Sequence, residues 1–306
     1  MSDFTNNFWS IYITVITLAG IAGCALLLWF TGKTKAKDSD NTSGHVWDGI
    51  TEMNNPLPRW WVWLFVITIV FSLGYLVVYP GLGSYAGKFG WTSTNQYENE
   101  VAKATEELKP MYAKFAAMRV EDLAKDADAR GIGERLFLNN CAQCHGSDAR
   151  GSRGFPNLTD NDWLHGGSPE KITETITNGR IGMMPPMAAV VGSEDDILNL
   201  ANYVLSLSGS MNNSGRAKLG QAKFAACAAC HGPEGKGNQD IGAPNLTDNI
   251  WLHGAGQAAI IKRIHEGKTN QMPAWSAKFT SEQIHVLTAY VWGLSNNKHD
   301  NKAHDE

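Results

Sequence analysis

The sequence predicts a mainly α protein, with two transmembrane helices followed by two tandem copies of one small helical domain. Two long runs without a charged side chain lie in the first 80 residues, and an internal repeat occupies most of the remaining chain. A length of 306 residues leaves room for several domains. The formal net charge of −4 gives no sign of a nucleic-acid-binding surface, so no nucleic acid is expected as a partner.

Residues 1–80 are predicted to form a transmembrane hairpin. The run Phe8–Phe30 has 23 residues without a charge, and at the rise of an α-helix it spans about 34 Å, enough to cross the hydrocarbon core. Trp60–Tyr79 is a second uncharged run, about 30 Å long as a helix. A cleaved signal peptide is the alternative for the first run. The lack of Lys or Arg before it, and its length, argue against that alternative.

The charges around the two runs predict the orientation of the hairpin. The loop 31–59 contains Lys33, Lys35, Lys37 and Arg59, whereas the N-terminal tail has no Lys or Arg. Since basic loops stay on the cytoplasmic side, we expect this loop in the cytoplasm and both termini outside. Tryptophan and tyrosine residues at the ends of the runs fit the interfaces of a lipid bilayer.

Residues 81–127 are predicted to be a glycine-rich connector followed by an amphipathic helix. Pro80 ends the second apolar run, because proline cannot continue a helix comfortably. Further along, Tyr112, Phe115 and Met118 recur at helical spacing. We expect these side chains to pack on a partner or on the domain that follows.

The rest of the chain contains one sequence pattern twice. Corresponding cysteines lie 86 residues apart, and corresponding methionines 88 residues apart. So small a difference indicates a duplicated domain with loop-sized insertions. The predicted boundaries are a first domain at 128–208, a linker at 209–217, a second domain at 218–295 and a polar tail at 296–306.

Each copy is expected to contain a short first helix, a helix before the methionine and a last helix. The first helix is predicted to open at Gly133 or Gly220. The last helix, 195–207 or 281–294, is predicted to close its own copy. The expected N-terminal caps of the last helices are Ser193 with Asp196, and Thr280 with Gln283.

Four of the five cysteines form two pairs that are each followed directly by histidine, in CAQCH at 141–145 and CAACH at 227–231. This spacing is typical of c-type haem attachment, in which two thiols reach the vinyl groups and the histidine reaches the iron. Zinc would need four converging ligands, and a redox dithiol needs no adjacent histidine. We therefore expect two haem c groups in domains of the class I cytochrome c fold. The expected attachment residues are Cys141, Cys144, Cys227 and Cys230, and the expected axial ligands are His145 and His231.

Met184 and Met272, each followed by proline, are the predicted sixth ligands of the two irons. A soft thioether stabilises ferrous iron and raises the potential. Met183 and Met187 compete only in the first copy, since the second copy has Gln and Trp there. The repeat favours a methionine that serves the haem of its own copy, but spacing leaves exchange between the copies open.

Several other residues are candidates near the haems. His165 and His253 occur in both copies and are the alternative sixth ligands. The candidates for hydrogen bonds to haem propionates are Trp163, Trp251, Asn157, Asn245 and Arg180. Ordinary loop packing would explain these five equally well.

The segment HVWDGITEMNNPLPRWW at 45–61, the stretch NQYENE at 95–100 and two domains with PNLTDN resemble the dihaem subunit III (CcoP/FixP) family of cbb3-type cytochrome c oxidase. NNPLP is the specific part, and the resemblance covers nearly the whole chain. It implies a bacterial inner-membrane subunit with periplasmic haem domains. Such a subunit takes electrons from a c-type cytochrome and passes them, through a monohaem c subunit, to the haem–copper catalytic subunit. The resemblance also implies the haem residues named above, with the pairing of methionines and haems open.

The chain itself is predicted to be a non-catalytic electron-transfer subunit, because no histidine cluster for copper lies in the apolar runs. A dihaem subunit of a dehydrogenase or another respiratory complex is the alternative. A dihaem peroxidase would need a haem with an open ligand position. After residue 79 the chain has 22 basic and 25 acidic side chains. An acidic face there would attract a lysine-rich cytochrome c at a salt-dependent rate.

Overall fold

The computed structural model describes residue 4, residues 6–33 and residues 42–296. The chain divides into two compact units, Met1–Glu107 and Leu108–Glu306, which are treated separately below. Within the described ranges the protein is mainly helical, as predicted. The predicted polar tail, apart from its first residue, lies outside the described residues, and so do Lys35 and Lys37 of the basic loop.

Two apolar helices dominate the first unit. Helix α1 covers Asn7–Gly32 and helix α2 covers Arg59–Val78, within two residues of the predicted runs. Both are long and apolar enough to cross a membrane, and neither contains a buried residue. Ser10 near the start of α1 accepts a hydrogen bond from the backbone N–H of Ser84 at 2.8 Å. This contact ties the beginning of α1 to the segment that follows α2.

A β-hairpin that the sequence analysis did not predict lies between these helices. Strand β1 (Thr42–Trp47) pairs antiparallel with strand β2 (Ile50–Met53), and Trp47 lies opposite Ile50. Asp48 and Gly49 connect the strands with positive φ angles of 50° and 84°. Asp-Gly is the residue pair that a two-residue hairpin turn prefers, because both positions need positive φ.

The second unit contains short helices and two short strands. Helix α3 (Ser93–Ala116) leads into it. The first copy then contains α4 (Val120–Leu123), α5 (Ala127–Asn140), α6 (Ala142–His145), α7 (Pro169–Asn178), β3 (Arg180–Met184), α8 (Ala188–Val191) and α9 (Glu194–Leu207). The second copy contains α10 (Ser214–Gln221), a 3₁₀ turn (Ala222–Phe224), α11 (Ala225–His231), α12 (Gln257–Glu266), β4 (Lys268–Met272) and α13 (Ser281–Asn296).

The last helices of the two copies are exchanged. Helix α13 of the second copy packs on α5 and α7 of the first copy, and α9 of the first copy packs on α10 and α12 of the second. The ring of Phe137 lies 5.5 Å from that of Tyr290, and the ring of Tyr203 lies 5.3 Å from that of Phe224. The expectation that each copy is closed by its own last helix is therefore wrong. The apolar faces of α9 and α13 are alike, so sequence periodicity does not distinguish the two arrangements.

Each hydrophobic core consequently draws on both copies. We call α5, α6, α7, β4 and α13 the first module, and β3, α8, α9, α10, α11 and α12 the second module. The core of the first module combines Phe137, Ile172 and Ile176 with Ile284, Leu287 and Val291. The core of the second combines Ile197, Leu200 and Val204 with Phe224, Ile260 and Ile264.

The prediction that Gly133 and Gly220 open the first helices of their copies is wrong. Helix α5 begins six residues before Gly133, where the side chain of Asp126 accepts hydrogen bonds from two backbone N–H groups of the first turn. A Cβ at Gly133 would lie 2.6 Å from the Cβ of Tyr290, and one at Gly220 would overlap the carbonyl of Asn199. Both glycines therefore allow close helix crossing between the copies.

The predicted caps and the amphipathic helix are present. Ser193 and Asp196 form a reciprocal capping box at the start of α9, and Thr280 and Gln283 exchange bonds of 3.0 and 3.3 Å before α13. Phe115 in α3 is 1% exposed and packs in a cluster with two residues of α13, Val286 and Ala289. Thus the last turns of α3, within the second unit, pack on the helix that the second copy contributes to the first module.

Candidate haem-binding sites

Each CxxCH segment forms a short helix that places its cysteines and histidine together. In the first copy α6 follows Cys141, and the backbone N–H of His145 donates to the carbonyl of Cys141 at 3.0 Å. In the second copy the whole segment lies in α11. One helical turn between the cysteines puts both thiols on the same face, as attachment to one porphyrin edge requires. The structure therefore brings together the predicted attachment residues of each copy.

Both histidines are oriented by a proline carbonyl that the sequence analysis did not identify. Nδ1 of His145 lies 3.0 Å from the carbonyl oxygen of Pro156, and Nδ1 of His231 lies 3.0 Å from that of Pro244. Burial lowers the pKa of both imidazoles, which favours neutral rings. A neutral ring that donates from Nδ1 leaves the lone pair of Nε2 for a metal. The signal for this contact was the PNLTDN segment, which occurs in both copies.

Glycine makes this contact possible. Gly151 has a φ of 70°, and its backbone N–H donates to the carbonyl of His145 at 2.7 Å. A Cβ at Gly151 would overlap the carbonyl oxygens of Phe155 and Pro156. The proline carbonyl can therefore approach the histidine only because this position lacks a side chain.

The two predicted methionine ligands lie in paired strands. Strands β3 and β4 run antiparallel, with Arg180 opposite Met272 and Met184 opposite Lys268. Each Met-Pro segment then lies against the other copy. The Met272 carbonyl faces Gly179 and the backbone N–H of Trp275 donates to Ile176 at 3.0 Å, both in the first copy.

Equivalent contacts occur at the other predicted methionine ligand, Met184. The Met184 carbonyl faces Gly267, and the N–H of Met187 donates to the carbonyl of Ile264 at 2.8 Å. Met187 packs on the core that includes Cys227, whereas Met183 is 73% exposed. The competing methionine Met183 therefore points to solvent.

Met272 packs against the core that includes Cys141, not the core of its own cysteines. The first module therefore contains Cys141, Cys144, His145 and Met272, and the second contains Cys227, Cys230, His231 and Met184. The exchanged helices carry the methionine strands with them.

His165 and His253 lie at contacts between the copies. Nε2 of His253 lies 2.8 Å from the side-chain amide of Asn270, and Arg153 donates to the His253 carbonyl at 3.2 Å. The ring of His165 lies against Gly242 of the second copy. Burial lowers the pKa of both imidazoles.

The five candidate propionate residues separate into three groups. The side-chain oxygens of Asn157 and Asn245 accept bonds from the residue two positions ahead, so both are turn residues. Trp163 and Trp251 pack on the two cores. Arg180 differs, because its buried Nη2 has no hydrogen-bond partner.

The unpartnered polar atoms test whether a haem fits the first module. Among the described residues, Nη2 of Arg180 and Nδ1 of His165 are the buried side-chain nitrogen or oxygen atoms without a partner. An unpaired buried donor costs about 1–3 kcal/mol, and more when it is charged. His165 precedes α7 and Arg180 follows it. Arg180 lies at the strand position opposite Met272. A group bearing carboxylates between His145 and Met272 would satisfy the Arg180 donor, so this residue fits a haem.

Two family models match the chain. The N-terminal domain of cytochrome oxidase-cbb3, FixP, matches residues 39–86, which include the hairpin and α2. The model for cytochrome c oxidase, cbb3-type, subunit III matches residues 128–204 and again 215–291. The two matches of the second model correspond to the two copies of the repeat.

Curated relatives match over most of their length. The chain is 58% identical to the cbb3-type cytochrome c oxidase subunit CcoP of Rubrivivax gelatinosus over 296 residues, which cover 96% of this chain and 97% of that protein. It is 42% identical to the subunit FixP of Azorhizobium caulinodans, over 83% of this chain and 92% of that protein. It is 37% identical to CcoP of Cereibacter sphaeroides, over 85% and 97%.

These matches confirm the resemblance drawn from the NNPLP segment, and the two cytochrome domains carry two haem c groups. The chain belongs to the CcoP/FixP family, the membrane-anchored electron-transfer subunit III of cbb3-type cytochrome c oxidase.

Proposed function

We propose that each haem c is held by the cysteines and histidine of one copy and by the methionine of the other. The haem on Cys141 and Cys144 would then be held by His145 and Met272. The haem on Cys227 and Cys230 would be held by His231 and Met184. The observation that carries this pairing is the packing of Met272 on the core that includes Cys141. A haem c in each module supplies one-electron chemistry at its iron, and the thioether favours the ferrous state.

The residues of the chain do the remaining work. The Pro156 and Pro244 carbonyls fix the tautomer of the axial histidines. The apolar cores exclude water from one side of each module, which limits the reorganisation that accompanies a change of iron charge. Strands β3 and β4 join the two methionines through one ladder of backbone hydrogen bonds. The two modules therefore form a rigid relay for single electrons.

The proposed relay runs from a c-type cytochrome donor to a haem–copper catalytic subunit, by way of a monohaem c subunit. The chain lies in the bacterial inner membrane through α1 and α2, with loop 31–59 in the cytoplasm and both termini and haem modules in the periplasm. The support for this topology is the basic loop, since Lys33 and Arg59 flank the two helices on that side. Oxygen reduction belongs to the partner subunit.

The ligand pairing is tested with proteins that carry a single haem. Cys227→Ser with Cys230→Ser leaves only the haem on Cys141. In that protein Met272→Leu should abolish the near-infrared sulfur-to-iron band of the oxidised form, and Met184→Leu should leave it. The reverse result would show that each methionine serves its own copy. A band that neither change removes would point to a different ligand, with His165 the first to replace.

The complex itself is tested by purification from native membranes, followed by haem staining and identification of the subunits. Copurification with a haem–copper subunit and a monohaem cytochrome supports the proposal. Isolation with a dehydrogenase instead would favour the alternative respiratory complex. The donor is tested by the ionic-strength dependence of its electron-transfer rate to this subunit. The slight acidic excess after residue 79 predicts a rate that falls as salt rises.

A further inference from the structure

The two modules are not equivalent at the start of their methionine strands. At positions 88 residues apart, Arg180 corresponds to Lys268, Glu174 to Lys262 and Thr175 to Arg263. The repeat therefore preserves the iron ligands and changes the charges beside them. The first copy places an acid, a hydroxyl and a guanidinium where the second has three basic side chains.

Arg180 is held in one orientation by the helix that precedes it. Its Nε donates to the hydroxyl of Thr175 at 2.9 Å, and its Nη1 donates to the carboxylate of Glu174 at 2.9 Å. Its side chain is 20% exposed. Two of its three nitrogens are thus committed to α7, while the buried Nη2 has no partner.

The strand register places the side chain of Arg180 on the same face of the ladder as Met272 of the first module. In an antiparallel pair, residues directly opposite each other project to the same face of the ladder. Arg180 lies opposite Met272, and both side chains are on the half-buried face of the strands. Nδ1 of His165 is the second unpartnered buried atom, and the pKa of this imidazole is lowered by burial and then by the charge of Arg180.

Among the described residues, the second module has no buried, unpartnered side-chain donor of this kind. Lys268, the counterpart of Arg180, is exposed. Arg263 donates from Nη1 to the carbonyl of Gly267 at 3.2 Å, and its Nη2 lies 3.5 Å from the carboxylate of Glu266. His253 contacts the amide of Asn270, at a position where the first copy has glycine.

We infer that Arg180 binds a propionate of the haem attached to Cys141 and Cys144, in a site lined by His165 that has no counterpart in the second module. A guanidinium that is already fixed by two bonds presents its remaining N–H groups to a carboxylate at low entropic cost. The carboxylate in turn satisfies a buried charged donor. The inference rests on the proposed pairing of this haem with Met272.

A propionate that is neutralised in this way changes the haem potential. The ferric haem carries one more positive charge than the ferrous haem, and a free propionate stabilises that charge. Arg180 opposes the effect, so it raises the potential of the haem in the first module. The potential of the other haem is set without such a group. The asymmetry therefore separates the two potentials of the relay.

The test uses the full chain with both haems attached, titrated potentiometrically as two one-electron components. Arg180→Gln should lower the reduction equilibrium constant of one component about tenfold. For one electron this lowers its potential by about 59 mV. Arg180→Lys should lower it less, because a positive charge remains. Lys268→Gln is the matched control at the equivalent exposed position and should move neither component.

A second readout separates propionate binding from a loosened helix α7. The propionate-bending mode in the resonance Raman spectrum should shift in Arg180→Gln and stay in place in Thr177→Ala, which removes a side-chain hydrogen bond to the Thr173 carbonyl within α7. The protein that lacks the Cys227 and Cys230 thiols should keep the potential shift, and the protein that lacks Cys141 and Cys144 should lose it.

Unchanged potentials in Arg180→Gln, equal shifts of both haems, or an unmoved propionate mode would each overturn the inference. The near-infrared sulfur-to-iron band is recorded in the same samples. If that band is intact and assigned to Met272, a missing potential shift counts against Arg180 alone. If the single-haem proteins contradict the pairing, the fault lies in the proposed ligand set.

Discussion

Replacing Leu287 with alanine should destabilise the haem module of the opposite copy. Leu287 lies in α13, is 1% exposed, and packs in a core with Phe137, Ile172 and Ile176 of the first copy. Leucine-to-alanine changes at such sites cost about 3 to 5 kcal/mol, because the transfer free energy is lost and a cavity remains. The cost should fall on the local unfolding of the first module.

The assay is native-state hydrogen exchange with peptide-level mass spectrometry on the full chain. At about 3 kcal/mol, the population of the open form rises about a hundredfold. In Leu287→Ala the amides of α5 (Ala127–Asn140) and α7 (Pro169–Asn178) should therefore exchange about a hundredfold faster. These helices lie more than a hundred residues before the changed position in sequence.

The chain offers a matched control at the equivalent position of the first copy. Leu200 is 0% exposed in α9 and packs with Phe224 and Ile260 of the second copy. Leu200→Ala should accelerate exchange in α10 and α12 and leave α5 and α7 protected. Faster exchange of α10 in Leu287→Ala, with α5 unaffected, would mean that each copy keeps its own last helix, and the exchanged arrangement would be refuted.

Three further changes probe single contacts. Gly133→Val should lower the free energy of unfolding, measured in urea, by about 1–3 kcal/mol, because a Cβ there meets Tyr290 at 2.6 Å. At Gly131 the nearest atom to a Cβ is 3.7 Å away, so Gly131→Ala should be neutral or stabilising, and equal effects of the two changes would argue against close helix crossing. Ser193→Ala should cost about 1 kcal/mol by removing the capping box of α9, and an unchanged denaturation midpoint would contradict that role. Gly151→Ala should disturb the Soret band of one haem by displacing the proline carbonyl from its histidine, and an identical spectrum would show that the loop adapts.

The sequence predicts the individual helices and motifs of this protein better than it predicts which helices pack together. The apolar runs, the caps at Ser193 and Thr280, and the CxxCH segments depend on neighbours in sequence, so local rules locate them. The exchange of α9 and α13 depends on which of two similar surfaces each helix meets. A repeat makes those surfaces alike, and the length of the segment 208–213 between α9 and α10 does not by itself decide which surface α9 meets.

Two further features carry only a weak signal in the sequence. The hairpin at Thr42–Met53 lies in the loop between the two apolar helices, where the Asp48–Gly49 pair is the turn signal. Arg180 was one of five equal candidates near a propionate. Only its unpartnered buried nitrogen separates it from Asn157 and Asn245, which form turns, and burial of a single atom is not visible in a sequence.

In the proposed ligand set, the exchanged arrangement couples the two iron sites in a way that two independent domains would not. Met272 and Met184 lie at the ends of two strands that, among the described residues, form a sheet of their own. An opening that separates β3 from β4 therefore displaces both thioethers, so the two irons lose their sixth ligands together. Each iron–sulfur bond in turn stabilises the closed ladder for the other site, because a ligand that binds only the folded form favours that form. Duplication without exchange would have given two separable cytochromes, whereas the exchange leaves neither copy with both proposed iron ligands of one haem.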